Sequence, residues 1–182
     1  MSLELYKQKR DFKNTPEPDS SINEKKSVLT FVVQRHDASH LHYDFRLEME
    51  GILKSWAVPK GPSMIAGEKR LAIMVEDHPL LYGEFFGEIP AGNYGAGTVE
   101  IWDEGAYVPL EEKGAAKKNL LSQLDKGTIK FVINGHYLKG GFALVRLNGK
   151  GKDGEWLLIK KKDKYALSSF NIEELKPIKT TN

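Results

Sequence analysis

The chain has 182 residues, 40% of them hydrophobic and 29% charged, with a formal net charge of +2 and no cysteine. That length suits one globular domain, able to bury about 70% of the surface its unfolded chain exposes. Lack of cysteine excludes a thiol nucleophile, Cys-ligated zinc, an iron–sulfur cluster and disulfides, and the near-neutral charge excludes a global field driving the chain onto nucleic acid.

In chain order, residues 1–27 are polar and carry Thr15-Pro16-Glu17-Pro18, which fits neither a regular helix nor a central strand. They read as an N-terminal arm, loose or pinned across the domain. Strand-like runs with turn signals between them follow at 28–34, 41–47, 52–58, 71–75, 84–89, 97–102, 128–134, 141–147 and 156–160. About nine short strands at this spacing predict an all-β, mainly antiparallel fold, a small closed β-barrel of eight or nine strands with one or two short helices. The helix candidate is 111–125, where Leu120, Leu121 and Leu124 form an apolar stripe and Gly127 supplies a stop. The organisation expected is an arm over 1–27, a barrel domain over 28–176 and a tail over 177–182. No apolar run reaches the roughly 18 residues of a membrane span, and no basic-then-apolar leader opens the chain. A cytoplasmic protein without a membrane partner is expected.

The most informative run is Leu41-His42-Tyr43-Asp44-Phe45-Arg46-Leu47-Glu48. Its period of two is that of a half-buried strand, with Leu41, Tyr43, Phe45 and Leu47 on one face. The other face lines up His42, Asp44 and Arg46, same-face neighbours being roughly 6.5 Å apart. His and Asp ligate divalent metals, and Arg grips phosphate in bidentate fashion. For an arbitrary strand, a solvated face of mixed charge is the better account. Here three of the five histidines, His36, His40 and His42, fall within seven residues, which favours a metal-assisted phosphoryl site.

Other segments are weaker. His78 precedes Pro79, which holds it extended, and Tyr82 follows it; together they form a candidate phosphate ligand or proton-donor pair. His136, at a Gly135 turn, reads as structural. The stretch from Pro90 to Thr98 is glycine-rich but matches neither a dinucleotide fingerprint nor a P-loop, and reads as a turn with bulges. Lys152-Asp153-Gly154 lacks the spacing of a nucleotidyl-transfer motif, and Gly-x-Ser-x-Gly is absent. Lys160, Lys161, Lys162 and Lys164 read as a solvated lysine face.

Taken in order, these strings resemble a known family: Arg10-Asp11-Phe12, Thr15-Pro16-Glu17-Pro18, the run from Phe31 to Glu48, Trp56-Ala57-Val58-Pro59-Lys60-Gly61-Pro62-Ser63, Glu76-Asp77-His78-Pro79, Gly92-Asn93-Tyr94-Gly95-Ala96-Gly97 and Trp156-Leu157-Leu158-Ile159-Lys160. They look like the 3′-phosphoesterase domain of bacterial DNA ligase D. The resemblance spans nearly the whole chain. It implies a small β-barrel with a manganese-dependent site, Co²⁺ or Zn²⁺ being alternative occupants, that acts on the 3′ ends of primer-template DNA in end joining. Members remove a terminal ribonucleoside, leaving a 3′-phosphate, and then hydrolyse that phosphate. By motif match, His36, His42 and Asp44 would be metal ligands, and Arg46 and His78 would hold the scissile phosphate with Tyr82 nearby. Arg10, Asp11 and Glu17 match arm residues the family needs for activity. No ligase or polymerase domain follows, so the resemblance implies a free-standing, nucleoid-associated enzyme whose DNA ligase is separately encoded.

The chemistry expected of that set is coherent. Two imidazoles and a carboxylate leave a divalent ion with net positive charge and open positions. Arg46 would neutralise phosphate charge, and a protonated His78 or Tyr82 would donate to the leaving alkoxide. Arg10 would meet a phosphate, Asp11 and Glu17 would brace site imidazoles or water, and Pro16 and Pro18 would stiffen an arm crossing the barrel mouth. Two other classes compete: a cupin-like metal oxygenase, against which Arg46 and the missing late histidine motif argue, and a non-catalytic DNA-end-binding module with a structural metal.

Overall fold

The computed structural model describes residues 2–21, 28–110, 119–148 and 154–181. A short helix, α1 (Glu4–Gln8), opens the chain, and nine strands follow: β1 (Thr30–Asp37), β2 (Leu41–Met49), β3 (Ile52–Val58), β4 (Lys69–Pro79), β5 (Gly87–Ile89), β6 (Gly97–Pro109), β7 (Thr128–Asn134), β8 (Lys139–Arg146) and β9 (Glu155–Lys160). Helix α2 (Leu120–Lys126) precedes β7, and 3-10 turns occupy Leu80–Glu84 and Ile172–Glu174.

Eight strands close a ring in the order β1-β2-β3-β4-β9-β8-β7-β6, with β6 returning to β1, and β5 adds to the start of β6. Every pairing between strands is antiparallel. Closure rests on the length of β6, whose Thr98 to Ala106 pair with β1 while Ala106 to Pro109 pair with β7. The expected closed antiparallel barrel is the fold.

Alternation along each strand decides what enters the ring. Phe31 and Val33 of β1, Tyr43, Phe45 and Leu47 of β2, Trp56 and Val58 of β3, and Trp156 and Leu158 of β9 meet Trp102, Phe131 and Phe142 in one interior core. The β2–β3 hairpin turns on Glu50 and Gly51, both at positive φ, the geometry of a two-residue turn whose twist matches its strands. A second cluster lies outside the barrel wall, where Leu3 and Tyr6 of α1 pack with Ile52, Leu53, Tyr82, Phe85, Ile89 and Val99. The described part of the arm expected over 1–27, residues 2–21, therefore contains a helix, and its Leu3 and Tyr6 dock on the outer wall.

Several boundaries differ from expectation for physical reasons. The strand expected over 84–89 shortens to Gly87–Ile89 because Leu80–Glu84 coils into a 3-10 turn. The one expected over 97–102 runs on to Pro109 through Asp103 and Gly105. Any side chain at Gly105 would strike the Asn134 carbonyl, 2.1 Å from an ideal Cβ. Asp103, fully buried, accepts hydrogen bonds from the backbone N–H groups of Glu104, His136, Tyr137 and Leu138. That clamp fixes the β7–β8 turn and gives His136 the structural setting expected of it. Of the helix expected over 111–125, residues 111–118 lie outside the described residues, as do Lys152 and Asp153. The described remainder is α2, capped by the Asn119 side chain, which accepts from Leu121 N–H at 2.8 Å.

Lys160 corrects the reading of a solvated lysine face. It follows Trp156 and Leu158 on the inward side of β9, is 1% exposed, and donates to the Gly141 and Lys161 carbonyls and to Asp163 at 2.9 Å. The end of the chain is also anchored: Lys179 N–H donates to the Ile101 carbonyl at 3.0 Å.

Candidate active site

The site is built on the outer face of β1 and β2. Register sets His36 opposite His42, Gln34 opposite Asp44 and Val32 opposite Arg46. Cross-strand neighbours sit about 4.5–5.5 Å apart at Cβ, so the polar face is compact. Such a face is ordinarily wet, yet Gln34, Asp44 and Arg46 are buried, because the arm and the 3-10 turn lie over them. Strand β4 completes the wall through a bulge: Leu53 pairs with His78 and Ser55 with Val75, so Glu76 and Asp77 together face Lys54. The extra residue re-aims β4, and Glu76 and His78 both reach the site.

His36, His42 and Asp44 each offer one ligand atom, all within 4.8 Å of one another. Backbone carbonyls select the tautomers. His36 Nε2–H donates to Gly95 O at 2.7 Å and His42 Nδ1–H donates to His40 O at 2.9 Å. That leaves His36 Nδ1 and His42 Nε2 with free lone pairs, 3.5 and 3.4 Å from the two Asp44 oxygens. Fixing the remote nitrogen of a ligand imidazole through a carbonyl is the recurring outer layer of metal sites, so the donor set fits a divalent cation. Burial alone would raise the Asp44 pKa, but Arg46 first, then His36 and His42, hold it well below the usual carboxylate range. Burial also opposes charge on His42, but in the protonated form Nε2–H donates to Asp44, and that bond with the Asp44 charge raises the His42 pKa.

Beside this triad, Arg46 is held from three sides. Its Nε donates to Gln34 Oε1 at 2.6 Å, its Nη2 to Asp44 Oδ2 at 3.3 Å, and its guanidinium lies 4.8 Å from the Tyr82 ring centre. Gln34 is in turn fixed by donating to the Tyr82 and Phe85 carbonyls. Arg46 Nη1 is buried and has no hydrogen-bond partner. An unpaired buried N–H of this kind costs about 1–3 kcal/mol or more, and Arg46 is among the residues lining a cavity of about 310 Å³, with His36, His42, Asp44, His78 and Tyr94.

The arm closes the other side. Arg10 Nε donates to Glu17 Oε1 at 2.9 Å, Nη1 to Glu76 Oε1 at 3.1 Å and Nη2 to His78 Nε2 at 3.3 Å. The guanidinium also lies 4.0 Å from the Tyr6 ring centre. Glu17 further accepts from the Tyr82 hydroxyl at 2.8 Å and from Thr15 Oγ1 at 2.9 Å. His78 Nδ1–H donates to its neighbour's carbonyl, Glu76 O, at 2.8 Å. Burial, then Arg46 and Arg10, pushes the His78 pKa well down. Burial pushes the Tyr82 phenol up, against Arg46.

Comparison with known proteins gives the same direction. The family described as DNA Ligase D 3'-phosphoesterase domain matches residues 34–146. The chain belongs to this phosphoesterase-domain family. It is 49% identical over 176 residues to the multifunctional non-homologous end joining protein LigD of Pseudomonas aeruginosa, covering 96% of this chain and 20% of that one. It is 39% identical over 184 residues to the Mycobacterium tuberculosis LigD, described as a multifunctional non-homologous end joining DNA repair protein, with 99% and 22% covered. The chain thus spans about a fifth of the length of these relatives.

Within this phosphoesterase-domain framework, eight of the nine expected residues line one cavity: Arg10, Glu17, His36, His42, Asp44, Arg46, His78 and Tyr82. Asp11 does not. It is exposed and accepts from Lys13 N–H and Asn14 Nδ2, shaping a turn of the arm. Four assigned roles also change. Glu17 braces Arg10 and Tyr82, not an imidazole. Arg10 directs four of its five N–H groups to Glu17, Tyr6 O, Glu76 and His78 within the protein. His78 is a neutral imidazole whose Nε2 accepts from Arg10, so it carries no proton there for a leaving group. The Tyr82 hydroxyl is committed to Glu17. Gln34 and Glu76 were not singled out by the sequence, although each shares a strand face with an expected histidine two residues away.

Proposed function

We propose that the protein is a divalent-metal-dependent phosphoesterase that processes nucleic-acid 3′ ends in non-homologous end joining, removing a terminal ribonucleoside and then the 3′-phosphate it leaves. The observation that carries this reading is the convergence, within 4.8 Å, of two imidazoles and a carboxylate in a cavity also lined by Arg46, whose buried Nη1 has no hydrogen-bond partner. A cation site beside a spare guanidinium N–H suits a phosphoryl group. A bound Mn²⁺, or Co²⁺ or Zn²⁺ in its place, would supply Lewis-acid polarisation of the phosphoryl group and promote attack by water.

The protein's own groups do the rest. Arg46 Nη1 donates to a phosphoryl oxygen, and the Gln34 and Tyr82 supports keep it aimed without reorganisation. Asp44 stays ionised between Arg46 and the two imidazoles. Neutral His78 donates through Nδ1 to Glu76 O and accepts from Arg10 at Nε2, which confines it to positioning that guanidinium. The arm, through Arg10 and Glu17, keeps Tyr82 under Arg46 and limits access of bulk water. The 3′-hydroxyl product is what a DNA ligase requires, so a ligase is the natural downstream partner, acting on DNA of the cytoplasmic nucleoid.

The test is a labelled primer-template ending in one ribonucleotide, incubated with the protein and Mn²⁺. The expected course is a 3′-phosphate intermediate followed by a 3′-hydroxyl end, both blocked by chelator. Tight binding of the end without turnover under any divalent metal would leave an end-binding module and overturn the reading.

A further inference from the structure

Tyr94 stands on the rim of the cavity and differs from the other tyrosines around it. Tyr6 and Tyr82 are buried, whereas Tyr94 is 50% exposed. Exposure of one aromatic residue is ordinary; what is unusual here is that the exposed ring is held. Lys9 Nζ donates to its hydroxyl at 3.3 Å and lies 4.7 Å from the ring centre, and Lys9 is itself fixed by Glu76 at 3.0 Å. Arg10 lies 5.6 Å from the same ring centre. On either side of Tyr94 the loop is tied down. Asn93 Nδ2 donates to Asn14 O at 3.2 Å, and Gly95 O receives His36 Nε2–H at 2.7 Å.

The ring is therefore fixed between the arm and a metal-ligand histidine while keeping half of its surface open. A pre-positioned aromatic plane beside a phosphate site, backed by cations, is the arrangement on which nucleobases stack, and it is sequence-tolerant because every base has a π-face. We propose that Tyr94 is the stacking platform for the purine or pyrimidine base of the nucleoside that carries the scissile 3′-phosphate. This rests on the phosphoesterase reading and adds to it a subsite for the base. The same nucleoside is retained through both steps of end processing, so one platform serves both.

Stacking on an aromatic side chain is worth about 5- to 150-fold in affinity per base. With 2-aminopurine as the terminal base of a 3′-phosphate primer and chelator present, titration with the wild-type protein should change the fluorescence of that base. Tyr94→Phe and Tyr94→Trp should preserve the change, and Tyr94→Ala should abolish it. In Mn²⁺ assays, the wild-type preference for a base-bearing over an abasic 3′-phosphate end, read in kcat/KM, should collapse towards one in Tyr94→Ala and persist in Tyr94→Phe. Equal losses on base-bearing and abasic ends, or a Phe variant as defective as Ala, would overturn the platform. Binding that needs Arg46 yet leaves the 2-aminopurine signal unchanged would overturn it while sparing the phosphoesterase reading. Failure of the wild type to bind or hydrolyse any 3′-phosphate end would overturn both.

Discussion

Replacing Arg46 by lysine separates charge from geometry. Arg46 uses Nε on Gln34 at 2.6 Å, Nη2 on Asp44 at 3.3 Å and keeps Nη1 spare. A lysine ammonium keeps a positive charge near Asp44 but is a point donor, unable to hold Gln34 and a phosphoryl oxygen in the planar fork of a guanidinium. Loss of one charge-assisted hydrogen bond to the phosphoryl group is worth about 1.5–3 kcal/mol, which is roughly 10- to 150-fold in kcat/KM. Gln34 Oε1, fully buried, would lose its partner at a cost of about 1–3 kcal/mol, lowering the melting temperature by roughly 2–12 °C for a chain of this size. Initial rates on a 3′-phosphate primer with saturating Mn²⁺, calorimetric Mn²⁺ titration and a thermal melt measure the three quantities. Arg46→Lys should lose activity, melt earlier and keep far more of its Mn²⁺ affinity than His42→Ala does, since lysine preserves the positive charge beside Asp44 and the three candidate ligands stay in place. Activity within threefold of wild type would refute the phosphate assignment, and a parallel loss of Mn²⁺ binding would assign Arg46 to the metal site.

Three further outcomes are expected. His42→Ala removes a half-buried candidate ligand and not core packing, so Mn²⁺ affinity should fall by more than about 100-fold while the metal-free melt barely moves; near wild-type turnover would exclude β2 as the metal platform. Tyr6→Ala deletes a fully buried ring and its hydroxyl bond to Pro18 O, a loss of about 3–5 kcal/mol borne by the docking of the arm. Activity should drop at least tenfold as the arm becomes protease-sensitive, and an arm as resistant as in the wild type, with full turnover, would contradict that. His78, whose pKa is depressed by burial and by Arg46 and Arg10, takes up a proton more readily in the unfolded chain. Its share of stability is present above about pH 6.5 and is lost as pH falls towards its folded pKa. His42, with a raised pKa, works in the opposite sense. The metal-free wild type should therefore lose more stability between pH 7 and 5 than His78→Gln does, and parallel pH profiles for the two proteins would count against a buried neutral imidazole.

Strand β2 was readable because its two faces have opposite chemistry: one row is apolar enough to demand the interior, leaving His42, Asp44 and Arg46 only the outside. The ring followed from nine such runs. What escaped were features created by tertiary contact. Tyr6 lies in a polar stretch too short to show helical periodicity, and only the outer surface of β3 and β4 makes it a core residue. Gln34 looks like the polar end of an apolar strand until the 3-10 turn places two carbonyls above it. The bulge opposite Lys54 brings Glu76 to the site and depends on strand pairing, which no local pattern encodes. Lys160 misled because four nearby lysines resemble a solvated run, while the alternation of β9 sends that one inward. Protonation states followed the same logic: whether His78 is acid or acceptor was decided by Arg10, sixty-eight residues away in sequence.

Closing eight strands into a ring has a colloidal consequence. Open sheets expose rows of unpaired amides that recruit strands from other molecules. In this ring the pairing passes from β1 round to β6 and back, and among the described residues the strand left at an outer edge is β5, three residues long. A strand of that length templates little. The barrel should therefore stay dispersed at concentrations where open sheets of similar size self-associate.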